Sequence, residues 1–460
     1  MAGKPSAGGK IIESKADLIA WFESGSKPRS EWRIGTEHEK FVFDRETLRP
    51  LPFEGRQGIG NLLQGMTRFG WQPILEGDRI IALSHTSGGA ISLEPGGQFE
   101  LSGAAVATLH QTCAEINRHL VEVKEICDEI NAGMVGLGFN PKWRREEIPW
   151  MPKGRYQIMR DYMPKVGGLG LDMMLRTCTV QVNLDYASEA DMVRKFRVSL
   201  ALQPIATALF AASPFTEGRP NGFQSYRSHI WTDTDKDRCG VLPFVFEPDF
   251  CFEQYVDYLL DVPMYFVYRG GFVDASGQSF RDFMTGRLPA LPGQKPTIGD
   301  FTDHVSTVFP EVRLKKYLEM RGADAGPWRR LCALPALWVG LLYDDLALDA
   351  AWDEVKDWTI LEHQTLREQV PRHGLAARHR RETVRDISLR ILAIAREGLR
   401  RRAVSGELTS GHEFDETCYL DTLFAVAASG RNLATEMLED FHGRWDGDIN
   451  HLFAERGYFV

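Results

Sequence analysis

Four short stretches of the chain alternate polar and apolar residues in the two-residue rhythm of a β-strand. They are Arg33-Ile-Gly-Thr-Glu37-His-Glu39-Lys-Phe-Val-Phe, Ile91-Ser-Leu-Glu94-Pro-Gly-Gly-Gln98-Phe-Glu100-Leu, Cys178-Thr-Val-Gln181-Val-Asn183-Leu-Asp185 and Tyr317-Leu-Glu319-Met-Arg321-Gly-Ala-Asp324. Successive strand side chains point to opposite faces, so Glu37 and Glu39 share a face, with apolar residues expected on the other. The same holds for Gln98 with Glu100, Gln181 with Asn183, and Glu319 with Arg321. One sheet carrying all four would expose a wall of oxygen ligands. Hard cations such as Mg²⁺ take oxygen ligands, and Mg²⁺ commonly holds nucleotide phosphates. The pattern points to an ATP-using enzyme without a P-loop, because no G-x-x-x-x-G-K-[ST] occurs.

A lone Glu-x-Glu strand is usually a solvated face. The second stretch weighs against that here. Gly96 and Gly97 permit a sharp turn that brings Glu94 near Gln98 and Glu100. The third sets Thr177, Thr179, Gln181, Asn183 and Asp185 opposite Cys178, Val180, Val182 and Leu184. That polar row fits a cavity wall as well as a solvent face. Basic residues cluster in expected loops at Lys153-Gly-Arg155, Tyr226-Arg227 and Trp328-Arg329-Arg330, and an arginine fork suits carboxylate or phosphate. The arginines from Arg378 to Arg402 flank an apolar helical stripe and read as a solvated helix face.

The elements that would position these residues are legible in outline. The 460 residues are 43% apolar and 25% charged, as in ordinary globular proteins. A net charge of −9 argues against a nucleic-acid or anionic-membrane partner. The N-terminus lacks the apolar core of a signal peptide, and residues 1–12 read as disordered. Residues 104–131 repeat apolar positions at steps of three and four and read as one long helix. A strand is expected at Gly136–Phe139, a helix at about 189–212, a loop-rich region at 216–300, and a mainly helical part from about 326 to 460. Seven cysteines lie scattered without C-x-x-C, which suits a reducing cytoplasm, and Cys113 and Cys127 read as buried thiols on the long helix.

These motifs, with Met151-Pro-Lys-Gly-Arg-Tyr, Ser225 through Asp237 and Glu319 through Arg330, closely resemble the plant-type class of glutamate–cysteine ligases, from about residue 12 to the C-terminus. The resemblance implies an α+β fold of the glutamine synthetase-like superfamily. In it an antiparallel sheet forms a half-open active-site cradle surrounded by helices, here as one catalytic domain over 13–460. It implies ATP- and Mg²⁺-dependent joining of the L-glutamate γ-carboxylate to the L-cysteine amine through γ-glutamyl phosphate. The implied metal ligands are Glu37, Glu39, Glu94, Glu100 and Glu319, and Gln181, Asn183 and Arg321 meet the nucleotide. Arg321, Glu319 and Arg155 are the implied catalytic residues. Arg155, Arg227, Trp231 and Tyr265 are the implied substrate contacts.

The resemblance further implies glutathione as a feedback inhibitor, a monomer or weak homodimer, and a cytoplasmic enzyme of glutathione synthesis. A superfamily ligase using another amine, or one supplying another thiol pathway, is the alternative. The plant regulatory disulfide cannot form, because Ala275 and Ala290 stand at its positions. A second plant pair falls on Cys113 and Cys332, so that bridge stays open.

Overall fold

A computed structural model describes residues 8–404 and 415–459. Its centre is a nine-stranded sheet, whose strands are numbered here in chain order. They are β1 (Ile34–Asp44), β2 (Gln72–Glu76), β3 (Arg79–Ser84), β4 (Ala90–Leu93), β5 (Phe99–Ser102), β6 (Ala132–Val135), β7 (Thr179–Leu184), β8 (Val312–Leu314) and β9 (Leu318–Asp324). The order across the sheet is β8-β9-β7-β1-β5-β4-β3-β2, with β6 pairing the far end of β1, and every pairing is antiparallel. The four polar stretches therefore lie side by side, as the alternation requires. Helices cover the sheet, and the α+β architecture agrees with the expected cradle.

Register follows from turn chemistry. Glu94 N donates to Gln98 O at 2.9 Å, closing the turn whose Gly97 takes a φ of 82°. That hairpin sets Ser92 opposite Glu100, and the β1–β5 pairing sets Glu39 opposite Glu100. Across the other edge of β1, Glu37 faces Gln181, and Asn183 in turn faces Glu319 on β9.

Several element boundaries differ from expectation. The long helix runs Leu109–Glu129, starting later because Thr108 caps it and Val106 bridges to Ile34. The expected Gly136–Phe139 strand is placed earlier, as β6. The 189–212 helix is two helices, Glu189–Ala201 and Gln203–Phe210, with Pro204 in the first turn of the second. Residues 1–7 lie outside the described residues. Ile11 bridges to Thr297 and Ile12 is fully buried, so packing holds the chain before residue 13. Arg402 is not solvated as read: it is buried and ion-paired with Glu416.

The face of β1 behind Glu37 and Glu39 is not apolar. It carries Thr36, His38 and Lys40, all buried beneath Leu109–Glu129. Lys40 Nζ sits 3.1 Å from His38 Nδ1 and 3.1 Å from His119 Nε2. Burial lowers the Lys40 ammonium to about 7. Cys127 is a buried free thiol as read, whereas Cys113 is joined to Cys332 with Cα atoms 5.9 Å apart. That bridge spans 219 residues and constrains the unfolded chain by about 5.4 kcal/mol in the loop-entropy model.

One fold-level consequence concerns pH. His304, buried on helix Ile298–Ser306, donates from Nε2 to Leu259 O at 2.8 Å, and burial lowers its pKa to about 4. An unfolded imidazole titrates near 6.5, so between those values the unfolded chain binds more protons. The contribution is intact above about pH 6.5 and is lost as pH falls toward about 4. At pH 4.5 His304 should cost about 2.5 kcal/mol relative to pH 7. Urea unfolding at both pH values should show a smaller drop for His304→Gln than for the unmodified protein. Equal drops would remove His304 as the cause.

Candidate active site

The expected wall exists and is buried. Glu37, Glu39 and Glu100 are 7%, 9% and 4% exposed, which excludes a solvent face. Each is held by neutral donors. Asn183 Nδ2 donates to Glu37 Oε1 at 2.9 Å, and Thr179 N donates to Glu39 Oε2 at 2.9 Å. Ser92 Oγ and Ser102 Oγ donate to the two Glu100 oxygens at 2.9 and 3.0 Å. Glu94 stands at the hairpin turn beside them. Burial first, then the charges of Glu94 and Glu100, raise the Glu39 carboxyl well above the usual range. These carboxylates come from β1, β5 and the turn between β4 and β5, and oxygen donors of this kind suit a hard divalent cation, but as they stand no three of them are grouped to hold one among the described residues.

Glu319 is different. Its Oε1 accepts from Lys315 at 2.7 Å, and its Oε2 accepts from Arg313 Nε at 2.7 Å and Arg321 Nη1 at 2.8 Å. Three cations hold this fully buried carboxyl well below its usual pKa, against the opposing effect of burial. Arg313 and Lys315 were not singled out from sequence; Arg313 lies opposite Glu319 in the β8–β9 ladder. The β7–β9 register shifts between Met320 and Ala323, and this bulge places Arg321 so that Nη1 also reaches Gln181 Oε1.

Beside the wall is a partly open cavity of about 90 Å³. Glu39, Glu94, Arg155, Arg227, Trp231 and Arg321 are among the residues lining it. Asp324 sets Arg227 in place. It accepts from Ser213 Oγ at 2.6 Å and from Ser225 Oγ, the cap of helix Tyr226–Ile230, at 2.7 Å. Arg227 Nη2 then donates to Arg321 O at 3.0 Å. Arg155 Nε, Arg227 Nε and Trp231 Nε1 are buried donors without hydrogen-bond partners among the described residues, and Asn183 Oδ1 is an acceptor in the same state. Buried polar atoms are normally paired, so a lining in which Arg155, Arg227 and Trp231 each carry an unpaired donor is shaped for a polar ligand.

Tyr265 is the exception among the expected substrate contacts. It is 1% exposed, donates to Asp235 Oδ2 at 3.0 Å and lies under Arg238, outside the cavity lining. Sequence reading also passed over Met159, Met173, Met174 and Thr307, which line the cavity and carry no local signature, and it placed Arg155, Arg227 and Arg329 in loops, where the structure sets them in the helices Gly154–Tyr162, Tyr226–Ile230 and Trp328–Leu331.

The cradle of antiparallel strands is that of a known ligase fold. A glutamate–cysteine ligase from Francisella tularensis, solved in complex with AMP, superposes with a TM-score of 0.56 at 11% identity, covering 92% of this chain and 89% of that one. The family model described as glutamate-cysteine ligase family 2 matches residues 33–455. A Medicago truncatula protein named glutamate–cysteine ligase, chloroplastic, is 56% identical over 97% of this chain and 85% of its own length. An Arabidopsis thaliana protein of the same name is 57% identical over 97% of this chain and 83% of its own. The chain belongs to glutamate–cysteine ligase family 2, and its activity is that of a ligase joining glutamate to cysteine, the first step of glutathione synthesis. The cytoplasmic expectation is corrected by these relatives, which are named chloroplastic.

Proposed function

We propose that this ligase couples ATP to the joining of the glutamate γ-carboxylate to the cysteine amine through γ-glutamyl phosphate. The observation that carries the reading is one cavity lined by the carboxylates of Glu39 and Glu94 together with Arg155 and Arg227, whose Nε donors have no hydrogen-bond partner. The nucleotide reading is supported by the fold shared with the AMP-bound enzyme.

Glu37, Glu39, Glu94 and Glu100 would hold Mg²⁺, which supplies charge neutralisation for the phosphates when bound. Glu319 would have to release a cation to join them; in the arrangement seen it fixes Arg321. Arg155 and Arg227 would orient the substrate carboxylates through forked donors. Arg321, backed by Gln181 and Asn183, would meet the phosphoryl group. The γ-carboxylate oxygen attacks the terminal phosphorus and ADP leaves. The amine then attacks the acyl carbon and phosphate leaves. Such transfers depend on positioning and charge stabilisation. Exclusion of water from the cavity during turnover would protect the acyl phosphate. Glutathione, which contains both product residues, is the expected competitor.

Release of ADP with glutamate and a varied amine tests the reading. Cysteine should drive release far faster than alanine or putrescine. Equal rates for all three would overturn the amine assignment.

A further inference from the structure

The helix Gly154–Tyr162, which carries Arg155, has a poor start by its own sequence. Its N-cap is Lys153, which has no acceptor and whose charge opposes the helix dipole. Lys153 serves a different contact: its Nζ donates to Leu93 O at 2.7 Å, and Tyr156 Oη donates to the same carbonyl at 2.6 Å. The missing acceptor comes from Glu76, 78 residues earlier in the chain. Gly154 N donates to Glu76 Oε1 at 2.8 Å.

Glu76 is the last residue of edge strand β2, beside the turn at Gly77. Its charge also acts on Lys153. Gly154 has no space for a side chain. A Cβ there would lie 2.9 Å from Glu76 Oε1 and 2.9 Å from Phe272 Cδ2. Phe272 belongs to a separate hairpin, Phe266–Tyr268 with Phe272–Asp274. Two hairpins and the start of the Arg155 helix thus meet at one α-carbon. The next residue, Arg155, lines the cavity with Nε unpartnered.

We propose that Glu76 is a positioning residue for Arg155. Its carboxylate caps the helix from a distant strand and so sets where the guanidinium stands at the cavity wall. The inference rests on the reading that Arg155 meets the acid substrate. Glu76 is partly exposed at the end of an edge strand, outside the buried core, so its variants should fold.

The test measures KM for glutamate and kcat separately in Glu76→Ala, Glu76→Gln, Arg155→Ala and the Glu76→Ala/Arg155→Ala double variant. Loss of the cap should raise KM about five-fold, with kcat within about two-fold. Glu76→Gln keeps an acceptor oxygen and should restore KM. The double variant should be no worse than Arg155→Ala. Gly154→Ala, which crowds both neighbours, should raise KM as Glu76→Ala does. If Arg155→Ala raises KM while Glu76→Ala leaves it unchanged, or lowers kcat alone, the positioning role is overturned. If Arg155→Ala leaves KM unchanged, the underlying assignment of Arg155 fails instead.

Discussion

Glu39→Gln should lower ligase turnover on the order of 10²-fold or more at saturating Mg²⁺. The substitution keeps nearly the same shape, and its amide oxygen can still accept from Thr179 N, so the strand pairing around it persists. What it deletes is one carboxylate from the group formed by Glu37, Glu39, Glu94 and Glu100, of which all but Glu94 are buried. Glu39 is disfavoured as an anion, first by burial and then by Glu94 and Glu100. Holding such a group charged is reasonable only if a cation shares the site. Binding of Mn²⁺ as a spectroscopic probe should weaken in parallel, which separates lost metal affinity from general damage. Turnover within about three-fold of the unmodified enzyme, with Mn²⁺ binding unchanged, would sink the role assigned to Glu39.

Arg321→Met should cost about 10²–10³-fold in kcat, comparable to removal of one preorganised stabiliser of developing charge. Arg321 is aimed before any ligand arrives: Glu319 and Gln181 both hold its Nη1, and a bulge in β9 sets its backbone. Arg321→Lys should recover only part of the loss, because a point charge cannot meet Glu319 and a phosphoryl oxygen with one rigid fork. Single-turnover measurement of acyl phosphate formation, trapped as the hydroxamate, should show the chemical step slowed. A normal single-turnover rate in Arg321→Met would move Arg321 out of phosphoryl transfer.

Much of this site was legible because strand alternation is a local rule. Glu37 and Glu39 must share a face in any extended backbone, and the Pro95-Gly96-Gly97 turn dictates that Glu94 and Glu100 return to it. The long motifs tied those faces to one family and its chemistry. Less legible were residues whose roles depend on partners remote in sequence. Asp324 clasps Ser213 and Ser225, more than ninety residues away in the chain, and so places Arg227. Tyr265 lay in a motif near the cavity, but packing turned its hydroxyl to Asp235 instead.

By itself, then, the sequence determined which side chains share a strand face, where the chain turns and which family it belongs to, since these follow from two-residue periodicity, glycine placement and long motifs. The tertiary structure alone decided what each face meets. It set Lys40 and His38 against His119 rather than against an apolar layer, and it engaged Glu319 with three cations rather than leaving it free. It also joined Cys113 to Cys332, and it capped the Arg155 helix from Glu76. The physical reason is the same in each case. Alternation says that a polar group points inward, but its charge state, freedom and role are set by the nearest partner in space, which chain order does not reveal.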